Sequence, residues 1–478
     1  MVRRCTAAAL VATWTAIAHA SPMEDPTEGG AVFTGPTHAN ASSIYLAPAA
    51  LAISGRGKHL YLGGSLRLDS VSIDRSSVDL GDGSLGEGPS MSATTWSPGG
   101  AVALWLSVLK DRAVFGVSLH NPMSERFLDG QDGMQYFTLG GYQSQTVLSG
   151  AGAFKLADWF IIGLGVSLGY SRLRLEFQRD TALEAGRNAE RGVLSDCGGE
   201  PCGAENALAA ETIKADVGTG GVGGLFETEN IGLSVGLAVR VRPDWWTTLH
   251  LINPPGSLVD LELGGTARVR GAERDGRVLH TGRSQITYRT PNTVLLGVRG
   301  PVLPLWDLVL TGRWQNLSRH QFYDVRLFGG DFEEAGVPEW YPRYRGFRDV
   351  WQVSGGLEGR ETGGVRYGGR LHLETGATTD ENTSPMQIEG FSAGAAGGAE
   401  LRMGDSWVVQ AGYDLTWFPT VDAGDSDFDP IARLDCVDSD YDFNQCRAAR
   451  EGRATPTAAG TYERLRHAVT VSLRYDWL

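Results

Sequence analysis

Lysine is nearly missing from this chain: four residues in 478, so almost all of its positive charge is arginine. A soluble β-sheet protein usually mixes lysine into its polar face, and its scarcity weighs against a soluble sandwich. Long apolar runs are missing as well. Past the N-terminus no stretch approaches the ~20 consecutive apolar residues of a spanning helix, which excludes membrane helices in the mature chain. Excess positive charge is also absent. Lys and Arg number 42 against 56 Asp and Glu, a net charge of −14, so no overall field would gather nucleic acid and no nucleic-acid partner is expected. Cysteine is scarce, at five residues. Neither Cys197 with Cys202 nor Cys436 with Cys446 has C-x-x-C spacing, and no His stands beside either pair, so zinc is not expected. No other metal and no cofactor is expected.

Glycine is abundant: 65 residues, about 14 % of the chain and roughly twice the usual share, too much for a helical enzyme. The dominant pattern is strict alternation with a period of two, the mark of a sheet with one apolar face and one polar or small face. Trp407, Val409, Ala411, Tyr413, Leu415 and Trp417 alternate with Gln410, Gly412, Asp414 and Thr416. Near the C-terminus Leu465, Val469, Val471, Leu473, Tyr475 and Trp477 oppose Arg466, Thr470, Ser472, Arg474 and Asp476. Val365, Tyr367, Leu371 and Leu373 likewise oppose Arg366, Arg370, His372 and Glu374.

Applied along the chain, the pattern predicts fourteen strands near 59–72, 97–108, 112–120, 143–156, 159–177, 231–242, 245–262, 285–299, 306–327, 346–359, 364–375, 389–402, 406–419 and 464–477. Tight turns at Lys110-Asp111, Ala157-Asp158, Pro243-Asp244, Pro301 to Leu305 and Gly404-Asp405 alternate with long excursions at 73–96, 178–230, 328–345 and 420–463. That asymmetry fits a bacterial outer-membrane barrel, with short periplasmic turns and long outer loops. Aromatics at strand ends, such as Trp306 with Trp314 and Trp407 with Trp417, fit membrane girdles. A soluble sandwich or propeller would also alternate, but it would not explain the girdles or the shortage of lysine.

Residues 1–20 read as a signal peptide. Arg3 and Arg4 precede the apolar run Ala7 to Ala18, and Ala18-His19-Ala20 is a cleavage site before Ser21. Cys5 leaves with it. The four remaining cysteines form two close pairs, Cys197 with Cys202 and Cys436 with Cys446, and are expected to bridge as disulfides that pin exported loops.

Three segments resemble the FadL/TodX family of outer-membrane hydrocarbon and fatty-acid transporters. They are Thr37 to Ala52 (THANASSIYLAPAALA), Thr290 to Ser318, and Thr383 to Pro419 together with Gly460 to Leu478. Two departures stand out: Ala47 occupies the place of the family's Asn before Pro48, and Leu478 follows the terminal aromatic Trp477 that the barrel-assembly machinery would read. The resemblance implies an all-β fold, a transmembrane antiparallel β-barrel of about 14 strands with an N-terminal luminal hatch. Residues 1–20 would be the signal, 21–55 the hatch and 56–478 the barrel. It also implies passive uptake of a hydrophobic small molecule, either a fatty acid or an aromatic hydrocarbon, by a monomer in the outer membrane.

Within that frame, Phe33, Ile44, Tyr45, Leu46 and Leu51 are candidates to line a dry pocket, with Pro48 stiffening the bend. The alternative is that they pack the hatch against the wall. In the segment Asp331 to Phe347, Trp340, Tyr341 and Tyr344 are candidates to capture an apolar ligand, while Arg343 and Arg345 could hold a carboxylate or a lipopolysaccharide phosphate. Runs at 181–194 and 203–213 could form a helical cap braced by Cys197 and Cys202. Asn121-Pro122 is the candidate lateral opening, since proline removes a ladder donor. The acidic run Asp422 to Asp442 lacks the spacing of a calcium loop and reads as a solvated surface that divalent ions could bridge to lipopolysaccharide.

Two motifs are set aside. Gly165-Val166-Ser167-Leu168-Gly169 spells G-x-S-x-G but sits in a strand with no helix after it, and the G-x-G-x-x-G at Gly218 to Gly223 lacks a βαβ setting. The protein is therefore not expected to be an enzyme. The competing classes are a structural or adhesive barrel and a barrel lipase.

Overall fold

The computed structural model describes residues 32–54, 57–78, 85–130, 134, 137–180, 210–273, 276–334, 337, 339–424 and 458–477. Their strands are β1 (Lys58–Val78), β2 (Leu85–Val108), β3 (Ala113–Arg126), β4 (Gly140–Ala157), β5 (Phe160–Asp180), β6 (Ala210–Gly218), β7 (Ile231–Arg242), β8 (Trp245–Asn253), β9 (Leu261–Glu273), β10 (Gly276–Tyr288), β11 (Thr293–Leu303), β12 (Trp306–Gln315), β13 (Phe322–Phe328), β14 (Trp340–Tyr344), β15 (Val350–Gly359), β16 (Val365–Glu374), β17 (Ser392–Met403), β18 (Trp407–Ala423) and β19 (Gly460–Trp477). All pair antiparallel, and β1 closes on β19 from Lys58↔Trp477 to Arg75↔Gly460.

The barrel has fourteen strands, five of them broken in two. Around the lower ring the order is β1, β2, β3, β4, β5, β7, β8, β11, β12, β15, β16, β17, β18, β19. Above it, β5 continues past β7 and pairs with β6, which leads on to β9, β10, β13 and β14. Two of the breaks lie where the backbone loses donors: Pro254 and Pro255 separate β8 from β9, and Pro291 separates β10 from β11. Asparagines repair the seam. Asn253 Nδ2 donates to Asn292 Oδ1 at 2.8 Å, and the Asn292 N–H donates to Asn316 Oδ1 at 2.6 Å.

The seam is also where the wall reverses its polarity. On β5, Leu164, Val166 and Tyr170 point outward and are exposed, while Gly163, Gly165, Ser167, Gly169 and Ser171 face the lumen. Two residues further on, Arg172, Arg174 and Glu176 take the outward positions and Leu173, Leu175 and Phe177 are buried inside. An apolar exterior with a polar lumen suits a strand in lipid; the opposite suits a strand in water. Tyr170 and Arg172 therefore mark the membrane boundary on this side. Below it the outward belt includes Leu60, Leu62, Leu104, Val117, Leu148, Leu249 and Leu371, all exposed. A closed barrel with such a belt fits an outer-membrane protein. No helix among the described residues is long and apolar enough to cross a membrane.

Four of the five tight turns stand where the alternation places them, two of them using left-handed residues at Lys110, Asp111 and Asp244; the fifth is shorter than Pro301 to Leu305, because β11 runs through Pro301 to Leu303 and only Pro304-Leu305 turn. The long excursions are corrected. Segment 73–96 is largely strand, since β1 reaches Val78 and β2 starts at Leu85; β6 lies within 178–230, and β14 within 328–345. Above the seam the apolar residues switch faces, so these extensions do not continue the lower pattern. Residues 210–213, expected in a helical cap, begin β6 instead. The signal peptide, the four cysteines of the two expected disulfides and most of the acidic run after Asp422 lie outside the described residues.

Candidate functional site

Residues 32–54 lie inside the barrel, crossing from one wall to the other. They include helix α1 (Ser43–Leu46), a 3-10 turn at Pro48–Ala50 and helix α2 (Leu51–Ser54). One end is held by charge. His38 Nε2 is 2.7 Å from Glu358 Oε2, the Phe33 N–H donates to Glu358 Oε1 at 2.9 Å, and Arg370 Nη2 bridges Glu358 Oε1 (2.7 Å) and the Thr34 carbonyl (3.2 Å). Gln410 Nε2 donates to the Val32 carbonyl at 3.1 Å. The Arg366 guanidinium sits 4.2 Å from the centre of the Phe33 ring.

The other end is held by shape. Inward glycines give the segment room: a Cβ at Gly163 would stand 2.2 Å from the Ala49 nitrogen, and one at Gly116 would stand 2.8 Å from Ile44 Cγ1. At the charge-held end Gly297 meets Pro36 and Gly368 meets Val32 in the same way. Ile44, Ala49 and Leu51 pack with Trp105, Val114 and Ile161, while Tyr45 packs with Val147, Ile252 and Leu295 and lies 4.6 Å from the His120 ring. The glycine-rich sequence at Gly163, Gly165 and Gly169 thus serves close approach in a strand.

Beside the segment is a cavity of about 140 Å³. Leu46, Asn121 and Pro122 border it, as do Pro98 and Gly99, and its charged lining is Arg67, Arg313, Arg370, Arg466, Glu374 and Asp414. Of the apolar candidates in the segment only Leu46 reaches this cavity; Phe33, Ile44, Tyr45, Pro48 and Leu51 are buried in packing against the wall. The arginines are what sequence reading left out of the site, although their alternation with apolar positions on β16 and β19 already put them on the luminal face.

The wall is incomplete next to this cavity. Strands β2 and β3 pair from Val108↔Ala113 to Ala101↔His120, and there the registered pairs end. Further up, β2 continues on β1 alone and β3 on β4 alone, with a register shift between His120 and Met123 around Asn121-Pro122. Arg67 Nη2 reaches across to donate to the Ser124 carbonyl at 3.1 Å.

Above the seam the lumen holds an apolar cluster. Leu173, Phe177, Ile213, Leu263, Ile286, Tyr323 and Tyr341 belong to one buried cluster contributed by β5, β6, β9, β10, β13 and β14. Strand alternation splits the three aromatic capture candidates: Tyr341 faces this cluster, whereas Trp340 and Tyr344 point away from it, with Trp340 Nε1 donating to Asp324. Arg343 and Arg345 are buried as well. Arg343 donates to the Phe137 carbonyl and lies 4.2 Å from the centre of the Phe177 ring, and Arg345 donates to Tyr323 Oη at 2.6 Å. They hold the interior above the seam together, and so they do not face lipopolysaccharide.

No protein-family model and no curated relative matches the sequence. Solved structures do. A Pseudomonas aeruginosa FadL homologue superposes with a TM-score of 0.72 at 16 % identity, over 96 % of this chain and 99 % of that one. The fold is that of the FadL-type channels. The P. putida toluene transporter TodX matches with a TM-score of 0.62 at 11 % identity, over 95 % of this chain and 99 % of TodX. The Ralstonia pickettii toluene transporter TbuX gives 0.59 at 14 % identity, over 96 % and 99 %. TodX and TbuX are both toluene transporters.

Proposed function

We propose that this protein is an outer-membrane channel for passive uptake of a hydrophobic molecule bearing an acidic head, with a long-chain fatty acid as its type. The observation that carries the reading is the order of surfaces inside the barrel: an apolar cluster above the seam, then an arginine-lined cavity at a break in wall pairing. A ligand tail gains about 25 cal/mol for each Å² it buries among the upper apolar residues. Its head then gains charge-assisted hydrogen bonds from guanidinium groups below. A neutral hydrocarbon such as toluene, the cargo named for TodX and TbuX, has no use for the second step.

In this reading residues 21–55 act as a hatch, whose movement opens the cavity, and the gap at Asn121-Pro122 is the exit sideways into the membrane. The partners are the ligand, the outer-membrane lipid and the barrel-assembly machinery; no energy source is needed. The test is uptake of a labelled long-chain fatty acid and of labelled toluene by cells lacking their own transporter, with the full chain and with a chain deleted from Glu28 to Ala52. Saturable uptake of the acid that the deletion alters supports the reading. Uptake of toluene alone would assign a neutral cargo, and uptake of neither by a folded, inserted barrel would refute transport.

A further inference from the structure

The outer surface just above the membrane is divided by charge into two sectors, and the division does not follow from transport. On one side, around β18, β19, β1 and β2, the outward positions above the lipid belt are Ser70, Ser72, Ser92 and Thr94, with Asp74, Asp422 and Glu463 as the only ionised groups among the described residues there. On the other side, β5, β6, β9 and β10 present Arg172, Arg174, Lys214, Arg268, Arg270 and Arg283 alongside the carboxylates Glu176, Asp216 and Glu262, with Asp331 held on the Thr281 backbone N–H and beside His280. A chain of net charge −14 thus concentrates cations on one flank.

The carboxylates on this flank are already engaged. Arg174 Nε donates to Asp216 Oδ2 at 3.0 Å, and Arg172 lies 3.8 Å from Asp216 Oδ1; Lys214 Nζ is 2.7 Å from Glu176 Oε2; Gln285 Nε2 donates to Glu262 Oε2 at 3.3 Å. Arg268 and Arg270 are exposed and have no carboxylate partner among the described residues. Register fixes their geometry. Arg268 is opposite Lys214 on one side and Thr281 on the other, and Arg283 is opposite Thr266. Arg268 and Arg270 share a face about 7 Å apart, and Arg283 is a diagonal neighbour of Arg268 at about 7–8 Å. On β4, Tyr142 lies under the cations at the boundary, with the Arg172 and Arg174 guanidinium carbons 6.0 and 5.3 Å from its ring centre.

We propose that this flank is a binding ledge for lipopolysaccharide in the outer leaflet. The ladder begins at Arg172, where the wall leaves lipid, and rises along β6 and β9 to Arg270. Anionic glycolipid has the same distribution of charge: phosphates on the lipid headgroup at the boundary, then acidic and phosphorylated core sugars above it. Guanidinium groups meet phosphate and carboxylate with paired donors, and three arginines at 7–8 Å spacing present more cations than one simple phospholipid headgroup can use. Lipopolysaccharide bound here holds the split upper strands β6, β9 and β10 against the membrane surface.

The test uses the full chain refolded in detergent, its fold checked by heat-dependent migration. Binding of lipid A carrying its inner acidic sugars is compared with that of lipid A stripped of phosphate, of phosphatidylglycerol, and of inorganic pyrophosphate. The double variant Arg268→Gln/Arg270→Gln is expected to bind the phosphorylated glycolipid about tenfold more weakly, and Glu463→Gln on the opposite flank to bind it unchanged. Phosphatidylglycerol and pyrophosphate are expected to compete poorly. Unchanged affinity in the double variant would overturn the ledge, and equal binding of phosphatidylglycerol or pyrophosphate would show a general anionic surface instead.

Discussion

His38 Nε2 lies 2.7 Å from Glu358 Oε2, joining the N-terminal segment to a strand 320 residues away in sequence. Glu358 also accepts from the Phe33 backbone and from Arg370, so one carboxylate gathers two points of the segment and one of the wall. Neutralising it removes all three charge-assisted contacts and leaves Arg370 buried without its partner. Hydrogen bonds to charged groups contribute about 1.5–3 kcal/mol each. Glu358→Gln is therefore expected to loosen the segment more than His38→Ala does, and the double variant to be no worse than Glu358→Gln alone. Protease cleavage within residues 32–54 of the refolded barrel reads this directly. Additive effects of the two substitutions would mean that the pair does not act as a unit.

At the opposite wall the same segment is seated by the absence of a side chain. A Cβ on Gly163 would come within 2.2 Å of the Ala49 nitrogen and 2.5 Å of the Pro48 carbonyl carbon, both backbone atoms with nowhere to rotate. Valine suits a strand, so Gly163→Val leaves the barrel intact while unseating the turn. Overpacking of this kind costs about 1–3 kcal/mol, enough to shift a seated-to-released ratio by about 5- to 150-fold. Single-channel conductance in a planar bilayer is expected to rise to match. A conductance equal to that of the unaltered chain would show that the turn does not close the lumen.

The sequence made the lower barrel legible because lipid outside and charge inside give opposite demands on alternate residues, as Tyr367 and Arg366 or Trp417 and Asp414 display. It hid the upper barrel for the same reason. Leu173 and Phe177 lie on the face opposite Leu164 and Val166, so the apolar stripe that defines a strand in lipid turns inside out at Tyr170. Polarity along residues 32–54 picks out side chains that must be buried but not what buries them. Ile44 and Leu51 fill spaces left by wall residues from several strands. The cavity took shape only when the barrel closed, since Arg313, Arg370 and Arg466 lie on three strands far apart in the chain.

The arginines of that cavity give a test of cargo. Arg313 Nη2 is 2.7 Å from Glu374 Oε2, so its charge is shared but held at the cavity wall. Arg313→Gln is expected to raise the half-saturating concentration of a long-chain fatty acid by about 10- to 100-fold, the equivalent of one charge-assisted contact, and to leave any toluene uptake unchanged. Competition uptake with the two labelled ligands measures both. Equal losses for acid and hydrocarbon would assign Arg313 a structural part only.

The upper cluster carries a histidine that should make it sensitive to acid. His320 is buried among the rings of Tyr288, Tyr323 and Phe347, at centroid distances of 5.2, 4.9 and 5.9 Å. Burial holds its protonation well below the ordinary histidine range, and the Arg345 guanidinium pushes in the same direction. The unfolded imidazole gains a proton as pH falls through about 6.5, while the buried one stays neutral. The unfolded state then binds more protons than the native state, and stability falls with pH from about 6.5 down to the depressed native value. Between about pH 7.5 and about pH 5 the melting temperature of the refolded barrel should therefore drop further for the unaltered chain than for His320→Phe, which keeps a ring in the same space without a group to titrate. Parallel pH profiles for the two proteins would place the acid sensitivity elsewhere.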